Sequence, residues 1–367
     1  MSSVIDPNFA PKVSSKDVVT WYSALDPSFQ IYGFPWIRRD KAYKRFPKKS
    51  KKDIEAICPK INGLASNTAG GQIHFFTNSA KLSIKVVLTS AVDLSQMSRT
   101  GQGGFDCYVG TDFRSLKFID AARFAHGQTE YEFTFFDQLP GEKLVVLNFP
   151  LYTGVLECFI GILEHSTIKK AKSFIDARRI VIYGTSITQG GCASRPGLNY
   201  TNRLSRMMRR EVVNFGFSGN AFGEKVVAQQ VAQIKKASLF VLDYEANAGT
   251  NGLLEKTLVD FIDTIRMFHP TTPIAVVSRI PYLLDQLIPA YGLKRAKIKQ
   301  FQMDTVNRYR NQGDSLIYFI DGSILLGEEA HECTTDSIHP NDLGFSHMAI
   351  EFKKAFTYIY KDQRRNK

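Results

Sequence analysis

The chain has 367 residues, 44% of them hydrophobic and 12% aromatic, with 26 glycines and 14 prolines. That length suits two domains better than one, and the composition excludes a disordered, collagen-like or linker-type chain. The formal charge of +12 permits attraction to anionic partners but does not establish it.

At the start, residues 1–11 lack a basic region followed by an apolar core, so no secretory signal is expected. No run of about 18 apolar residues exists either, so a spanning helix is not expected. The default compartment is then the cytoplasm, with export by another route left open. Much of the positive charge is local. Between 38 and 60 stand Arg38, Arg39, Lys41, Lys44, Arg45, Lys48, Lys49, Lys51, Lys52 and Lys60, against Asp40, Asp53 and Glu55. The simple reading is a solvated basic loop. The sharper one is an anionic partner held through residues 38–52, such as a polyanionic glycan or a lipid surface. No zinc finger, RNP-like strand or basic zipper accompanies the run, which argues against nucleic acid.

From Gln72 onward short apolar runs alternate with turn residues. Gln72–Thr77 is followed by Leu82, Ile84, Val86 and Leu88 at period two, then by runs at 105–109, 116–119, 131–136, 143–148 and 155–162. Such runs predict antiparallel sheets, which must each hide one face, so a β-sandwich or jelly roll is expected over residues 1–170. Gly101–Gly104 reads as a loop that needs permissive backbone angles. Asp106 reads as a carboxylate that satisfies loop amides or an arginine, or alternatively faces a ligand. Trp21, Tyr32 and Trp36 are core aromatics or a sugar-stacking face. The segment 168–177 connects to a second domain, taken as residues 171–367.

There the pattern changes. Apolar strand runs at 180–183, 212–215, 239–243, 274–278 and 317–320 alternate with helical spacing at 200–210, 221–236, 254–269, 292–312 and 343–360. This predicts an α/β domain of three layers, a mostly parallel sheet with helices on both faces. The last residues, 361–367, read as a frayed basic tail. Polar residues recur just after the strands: Ser186; Asn214, Ser218, Gly219 and Asn220; Asp243, Glu245 and Asn247; and, before the final helix, Asp336 and His339. In an open parallel sheet those ends converge on one edge, where ligands bind.

Ser186 is then the candidate nucleophile, which needs a base. His339 can take its proton, and Asp336, three residues earlier, can hold the imidazole by its other nitrogen. The amides of Ser186 and Gly219 and the side chain of Asn247 are candidate donors to an oxyanion, with glycine at 219 letting the backbone come close. No cofactor or metal is expected. The sequence has no GK[ST] phosphate loop, no dinucleotide fingerprint and no HExxH, and His331 with Cys333 is too little for zinc. Cys58, Cys107, Cys158, Cys192 and Cys333 are scattered, which argues against a disulfide framework.

Four stretches together carry a resemblance: 183–190 (YGTSITQG), 214–219 (NFGFSG), 242–247 (LDYEAN) and 336–344 (DSIHPNDLG). In order and content they resemble the Ser, Gly, Asn and His blocks of the SGNH (GDSL-like) hydrolase superfamily. More narrowly, Gly104–Tyr108 (GFDCY) resembles the GxDLY-type motif of two-domain bacterial members that carry an N-terminal β-sandwich, with Cys107 in place of leucine. The stretch 190–196 is similar to that subgroup too. Thr185 departs from the aspartate of the common GDS block, and Glu245 from the GxND glycines; a pairing of Glu245 with Arg195 or Arg279 is expected. The resemblance implies a serine esterase acting through an acyl-enzyme, with esters, thioesters and sugar acetyl groups as substrates of the superfamily. Arg195, Glu245, Asp106 and Tyr108 are candidate substrate contacts. The leading expectation is a carbohydrate O-acetyl esterase. The alternatives are a lipase or thioesterase for longer acyl chains and an inactive glycan-binding protein.

Overall fold

The period-two stretches of the N-terminal part pair as strands in the computed structural model, which describes residues 18–171, 174–249 and 251–365. The readings made on residues 1–11 and on 366–367 lie outside the described residues. Among the described residues, ten strands form the first unit: β1 (Val19–Ser23), β2 (Gln30–Tyr32), β3 (Gln72–Thr77), β4 (Leu82–Leu88), β5 (Asp106–Gly110), β6 (Lys117–Ala121), β7 (Glu130–Phe136), β8 (Lys143–Asn148), β9 (Val155–Leu163) and β10 (Ile168–Lys170). One antiparallel sheet has the order β1-β9-β4-β7. The other runs β10-β3-β8-β5-β6, with β2 also on β3. Ile84, Val86 and Ile160 of the first sheet share one core with Ile73, Phe75, Val145 and Leu147 of the second. The alternation along β4 is thus the imprint of one buried face: Lys85, between Ile84 and Val86, points to solvent. β8 is buried at all six positions, because its other face packs Leu144 and Val146 under Tyr108 and Ala171.

Three expectations need correction here. Gly101–Gly104 is not an open loop. Residues Arg99–Gln102 form a helical turn, and Gly103 and Gly104 serve close packing instead of left-handed angles. A Cβ on Gly104 would lie 2.7 Å from the carbonyl oxygens of Thr100 and Ala122. Trp21 and Tyr32 belong to different sheets, so they do not make one stacking face; Lys85 Nζ instead covers the Trp21 ring at 4.0 Å. The basic run is not simply a solvated loop. It contains the helices Lys51–Ile57 and Pro59–Leu64, and Arg45 is fully buried.

Five parallel strands make the second unit's sheet: β11 (Asp176–Gly184), β12 (Arg210–Gly216), β13 (Ala237–Asp243), β14 (Ile274–Val277) and β15 (Ile317–Ile320). Their order is β12-β11-β13-β14-β15. The chain therefore reverses direction across the sheet between β11 and β13, and the carboxyl ends of those two strands flank the switch point where such sheets take ligands. The strands read as continuous Val/Ile/Leu/Phe runs because both faces are covered. Helices Tyr200–Met208, Lys225–Ala232, Leu253–Phe268, Pro289–Asn311 and Asp342–Arg365 supply that cover. The last continues helically through Lys361 to Arg365, where a frayed tail was expected.

The two units are not separated by a single cut near residue 170. Residues 45–65 group with the second unit and residues 194–197 with the first. Within the second unit Arg45 donates to the carbonyls of Asn214, Gly216 and Leu64, and Phe46 packs on Phe215 and Phe217. Within the first, Asp106 accepts from Arg195 Nη1 at 2.8 Å and from the Gly197 amide at 2.7 Å. Among the described residues, no helix is long and apolar enough to cross a membrane.

Candidate active site

Thr185 follows β11 and caps the short helix Ser186–Gln189, its hydroxyl accepting from the Ile187 amide. An N-cap needs a short side-chain oxygen, which threonine supplies as aspartate does. Ser186 is thereby the first helical residue, at the switch point. Two glycines let this helix sit directly on the sheet. A Cβ at Gly184 would lie 2.0 Å from Thr188 Oγ1, and one at Gly216 would lie 2.1 Å from the Gln189 amide nitrogen. Side-chain amides finish the helix: Asn199 Nδ2 donates to the Thr188 and Gln189 carbonyls, and Asn214 Nδ2 to the Thr188 carbonyl. Gly190 then leaves in the left-handed region, at φ 109°.

On the other side, Thr334 bridges Pro340, and the turn between them carries Asp336 and His339. Asp336 Oδ1 accepts the His339 amide at 2.7 Å and the Ile338 amide at 3.2 Å. Its Oδ2 meets His339 Nδ1 at 2.7 Å. His339 Nε2 lies 2.8 Å from Ser186 Oγ. Three side chains from opposite ends of the second unit thus form one continuous relay, with Ser186 8% exposed. Burial pushes the Asp336 pKa up, but the amide and ring hydrogen bonds of His339 outweigh it and hold the carboxyl below its ordinary value. Asp336 is therefore an anion at neutral pH, and the proton between it and Nδ1 belongs to the imidazole.

The loop after β12 and the helix Glu245–Ala248 complete the edge. The Ser218 amide donates to Gln189 Oε1 at 3.0 Å, and the Ala221 amide to Asn247 Oδ1 at 3.2 Å. These bonds tie the Gly219 turn to both neighbours and leave the Asn247 NH₂ on the far side of its amide. Gly219 has φ 65° and open space where a Cβ would stand. Its glycine answers to the backbone angle, not to the close approach expected from the sequence. Asp243, at the end of β13, accepts from Tyr200 Oη at 3.1 Å and lies 3.4 Å from Thr188 Oγ1. Burial pushes its pKa up to about 7, with Tyr200 and Thr188 opposing and the Glu245 charge adding.

Glu245 is 2% exposed. Its Oε2 accepts the Arg279 amide at 2.7 Å, and Arg279 Nε lies 3.7 Å from Oε1. Of the two expected pairings, Arg279 is the partner, while Arg195 is engaged by Asp106 and by Tyr108 Oη at 2.6 Å. The expectation that Asp106 and Tyr108 face a ligand is corrected by the same bonds. Asp106 is fully buried, with donors from Asn148, Arg195 and Gly197 on its two oxygens. Cys192, at φ 73°, places a ligating atom within 4.8 Å of those of Asp336 and His339. Burial lifts its thiol to about 11, the Asp336 charge adding to the rise and Thr335 opposing it. Both imidazole nitrogens are already engaged, so the arrangement reads as a proton relay with a neutral thiol beside it. Sequence reasoning missed Arg45, Asn199 and the framework role of Asn214. The first was hidden in a charge run, and the other two look like ordinary turn residues.

A cavity of about 590 Å³ opens beside the relay, lined by Asp336, Ser337 and Ile338 on one side and by Glu245, Arg279 and Arg295 on another.

A parallel sheet with order 2-1-3-4-5, a serine on the first turn and a histidine before the last helix define a hydrolase of the SGNH type. Residues 177–357 match the GDSL-like Lipase/Acylhydrolase family, and residues 19–168 match the N-terminus of Esterase_SGNH_hydro-type. A Bacteroides ovatus protein assigned as a GDSL-like lipase has a crystal structure with a TM-score of 0.84 and 30% identity, covering 94% of this chain and 98% of its own. The chain belongs to the GDSL-like lipase/acylhydrolase family and is a carboxylic ester hydrolase with a GxDLY-type N-terminal domain. Two more distant structures share the fold over nearly the whole length. The salicylyl-acyltransferase SsfX3 of a tetracycline biosynthetic pathway has a TM-score of 0.75, 19% identity, and coverage of 93% and 97%. A family two carbohydrate esterase from Cellvibrio japonicus has a TM-score of 0.58, 14% identity, and coverage of 94% and 99%. Among curated proteins none matches.

Proposed function

We propose that this chain removes a short acyl group, such as acetyl, from a carbohydrate through a serine-bound acyl-enzyme. The carrying observation is the unbroken path from Ser186 Oγ through the imidazole to Asp336, with contacts of 2.8 and 2.7 Å. Ser186 Oγ attacks the ester carbonyl carbon while His339 Nε2 takes the hydroxyl proton. The charge that develops on the carbonyl oxygen falls to the Ser186 and Gly219 amides and the Asn247 NH₂. His339 then returns the proton to the departing alkoxyl oxygen, which leaves as the alcohol. Water repeats the cycle on the acyl-enzyme and releases the carboxylic acid. Asp336 stays ionised throughout and fixes which nitrogen carries the proton. The carbohydrate part of the reading is supported by the fold shared with a family two carbohydrate esterase over nearly the whole chain.

The test is hydrolysis of p-nitrophenyl acetate and of acetylated sugars by the wild type and by Ser186→Ala. The expected result is loss of at least ~10⁴-fold in kcat, as for removal of a nucleophile in comparable triads. A wild type no faster than the variant across an ester panel overturns the reading.

A second reading has its own observation. Leu283, Leu284, Leu287, Ile288, Tyr291 and Leu293 are all at least one-third exposed, in one stretch at and beside the cavity. This favours longer acyl chains or a lipid surface. It predicts that rates rise with chain length from acetate to decanoate, whereas the leading reading predicts that they fall.

A further inference from the structure

In the first unit, the edge of the sheet beyond β3 is broken, and a recess opens at the break. Two short strands share that side of β3 end to end: β2 pairs Gln30 with His74, and β10 pairs Lys170 with Phe75. Gln30 and Lys170 therefore stand at successive register positions, where one edge strand begins and the other ends. A cavity of about 290 Å³ lies there, lined by both strand ends and by the turn Ile37–Asp40. The buried Phe29 and Ile37 and the half-buried Leu25 and Ile31 give it apolar walls. Its rim is cationic, since the exposed Arg38, Lys41 and Lys170 all line it. Among the described residues Asp26 is the one carboxylate in the lining, and its Oδ1 accepts the Ser28 amide at 2.8 Å.

The three cations differ from their neighbours in chain. Arg39 is paired with Asp40 at 2.5 Å, and Lys169 with Glu142 at 2.6 Å. Among the described residues no carboxylate comes within ion-pair reach of Arg38, Lys41 or Lys170. Lys41 also ends its turn at φ 48°, a left-handed angle at which glycine is the easy choice. Three like charges around one recess raise the potential there and favour an anion. The guanidinium and the Gln30 amide add directed donors. A bare ion gains the attraction alone, whereas a ring-sized body also covers the apolar walls. The cavity is at the lower end of the usual ~300–1,000 Å³ for small-ligand pockets, which suits a single ring. Its apolar residues are recessed and do not protrude, which does not suit insertion into a bilayer.

We propose that this recess binds an organic anion, a carboxylate or phosphate carried on a body the size of one sugar ring, with Arg38, Lys41 and Lys170 holding the charge and Leu25, Ile31 and Ile37 covering the body. The site lies wholly within the first unit and binds its ligand without turning it over. It gives one part of the basic run a definite partner chemistry. The rest of that run, Lys48, Lys49, Lys51 and Lys52, belongs to the second unit and takes no part.

The test is calorimetric titration of the full chain with glucuronate, glucose 6-phosphate, glucose and inorganic phosphate at low salt. Both acidic sugars should bind at least about tenfold more tightly than glucose. Raising the salt from about 0.02 M to about 0.3 M should weaken them several-fold. Arg38→Gln and Lys170→Gln should each weaken both acids about tenfold with no change in Tm. Lys169→Gln is the control: it is the next residue in the strand, already paired with Glu142, and should leave binding as it is. Equal affinity for glucose and glucuronate overturns the site. A loss in Lys169→Gln as large as that in Lys170→Gln overturns it too, because overall charge then accounts for the effect. Inorganic phosphate held as tightly as glucose 6-phosphate leaves the apolar walls without a role, and the proposal falls. It falls as well if the chain is retained on phosphatidylglycerol vesicles while neither acidic sugar binds. The titration uses no ester, so its result stands whether or not Ser186 proves to be a nucleophile.

Discussion

Asp243 accepts from Tyr200 in a low-dielectric corner at the end of β13, and that corner has a measurable consequence. Its folded pKa of about 7 stands above the ordinary 3.8. A group raised in this way stabilises the fold when protonated, and the contribution is lost as pH rises through the folded value. Stability should therefore fall between pH 5 and pH 8. Because the residue keeps some exposure, solvent discounts the effect to about 1–2 kcal/mol. Asp243→Asn has no carboxylate to ionise, so urea denaturation should show the variant gaining that amount over the wild type from pH 5 to pH 8. A difference that stays constant across the range sinks the assignment. At this scale the sequence was legible where chemistry repeats a position. Ser186, Asp336 and His339 stood out because each follows a strand or precedes the last helix, and the fold links these three by hydrogen bonds. Arg45 did not, because a guanidinium that caps strand-end carbonyls looks in sequence like any other member of a basic run. The partner of Glu245 was one of two arginines, and only the fold separates them.

Among elements, the helix Ser186–Gln189 depends on what its neighbours lack. Gly216 ends β12, and a Cβ there would stand 2.1 Å from the Gln189 nitrogen, a backbone atom that cannot swing aside. Gly216→Ala must therefore lift the helix off the sheet. Overpacking of this kind costs about 1–3 kcal/mol. Misplacing a reacting group by about 1 Å costs roughly 10²-fold in rate. The expected outcome is a folded variant with a modestly lower Tm and kcat on p-nitrophenyl acetate down about 100-fold; near-normal kcat would show that the helix tolerates the methyl. The strands and long helices of the second unit were readable because each carries an uninterrupted apolar run or a 3.6-residue period. β1, β2 and β10 were not predicted. They are edge strands of three to five residues, partly exposed, and give no clear alternation. Gly101–Gly104 misled for a related reason: four polar or small residues look alike whether they loop freely or pack tightly.

Across the whole molecule, the sequence suggests one boundary near residue 170, and the chain does not respect it. The second unit's sheet is complete within 174–365, but part of what covers it comes from residues 45–65. No local pattern can announce this, since the segment's apolar residues are few and lie among lysines. Phe46, Ile54 and Ile61 are nonetheless 2%, 0% and 1% exposed. At about 2 kcal/mol for each fully buried side chain, their loss removes roughly 6 kcal/mol. That is comparable to the ~5–15 kcal/mol that holds a domain folded. Removing Arg45 as well leaves the carbonyls of Gly216 and Asn214 without its guanidinium. A fragment of residues 171–367, although it carries Ser186, Asp336 and His339, should therefore fail to fold. Calorimetry should show no cooperative transition, and a fluorophosphonate probe should not label the serine. Fusing residues 45–65 back onto that fragment through a flexible linker should restore both signals at least in part. A fragment that melts cooperatively near the full chain's Tm and labels at Ser186 would mean that the segment covers the sheet without being needed to hold it.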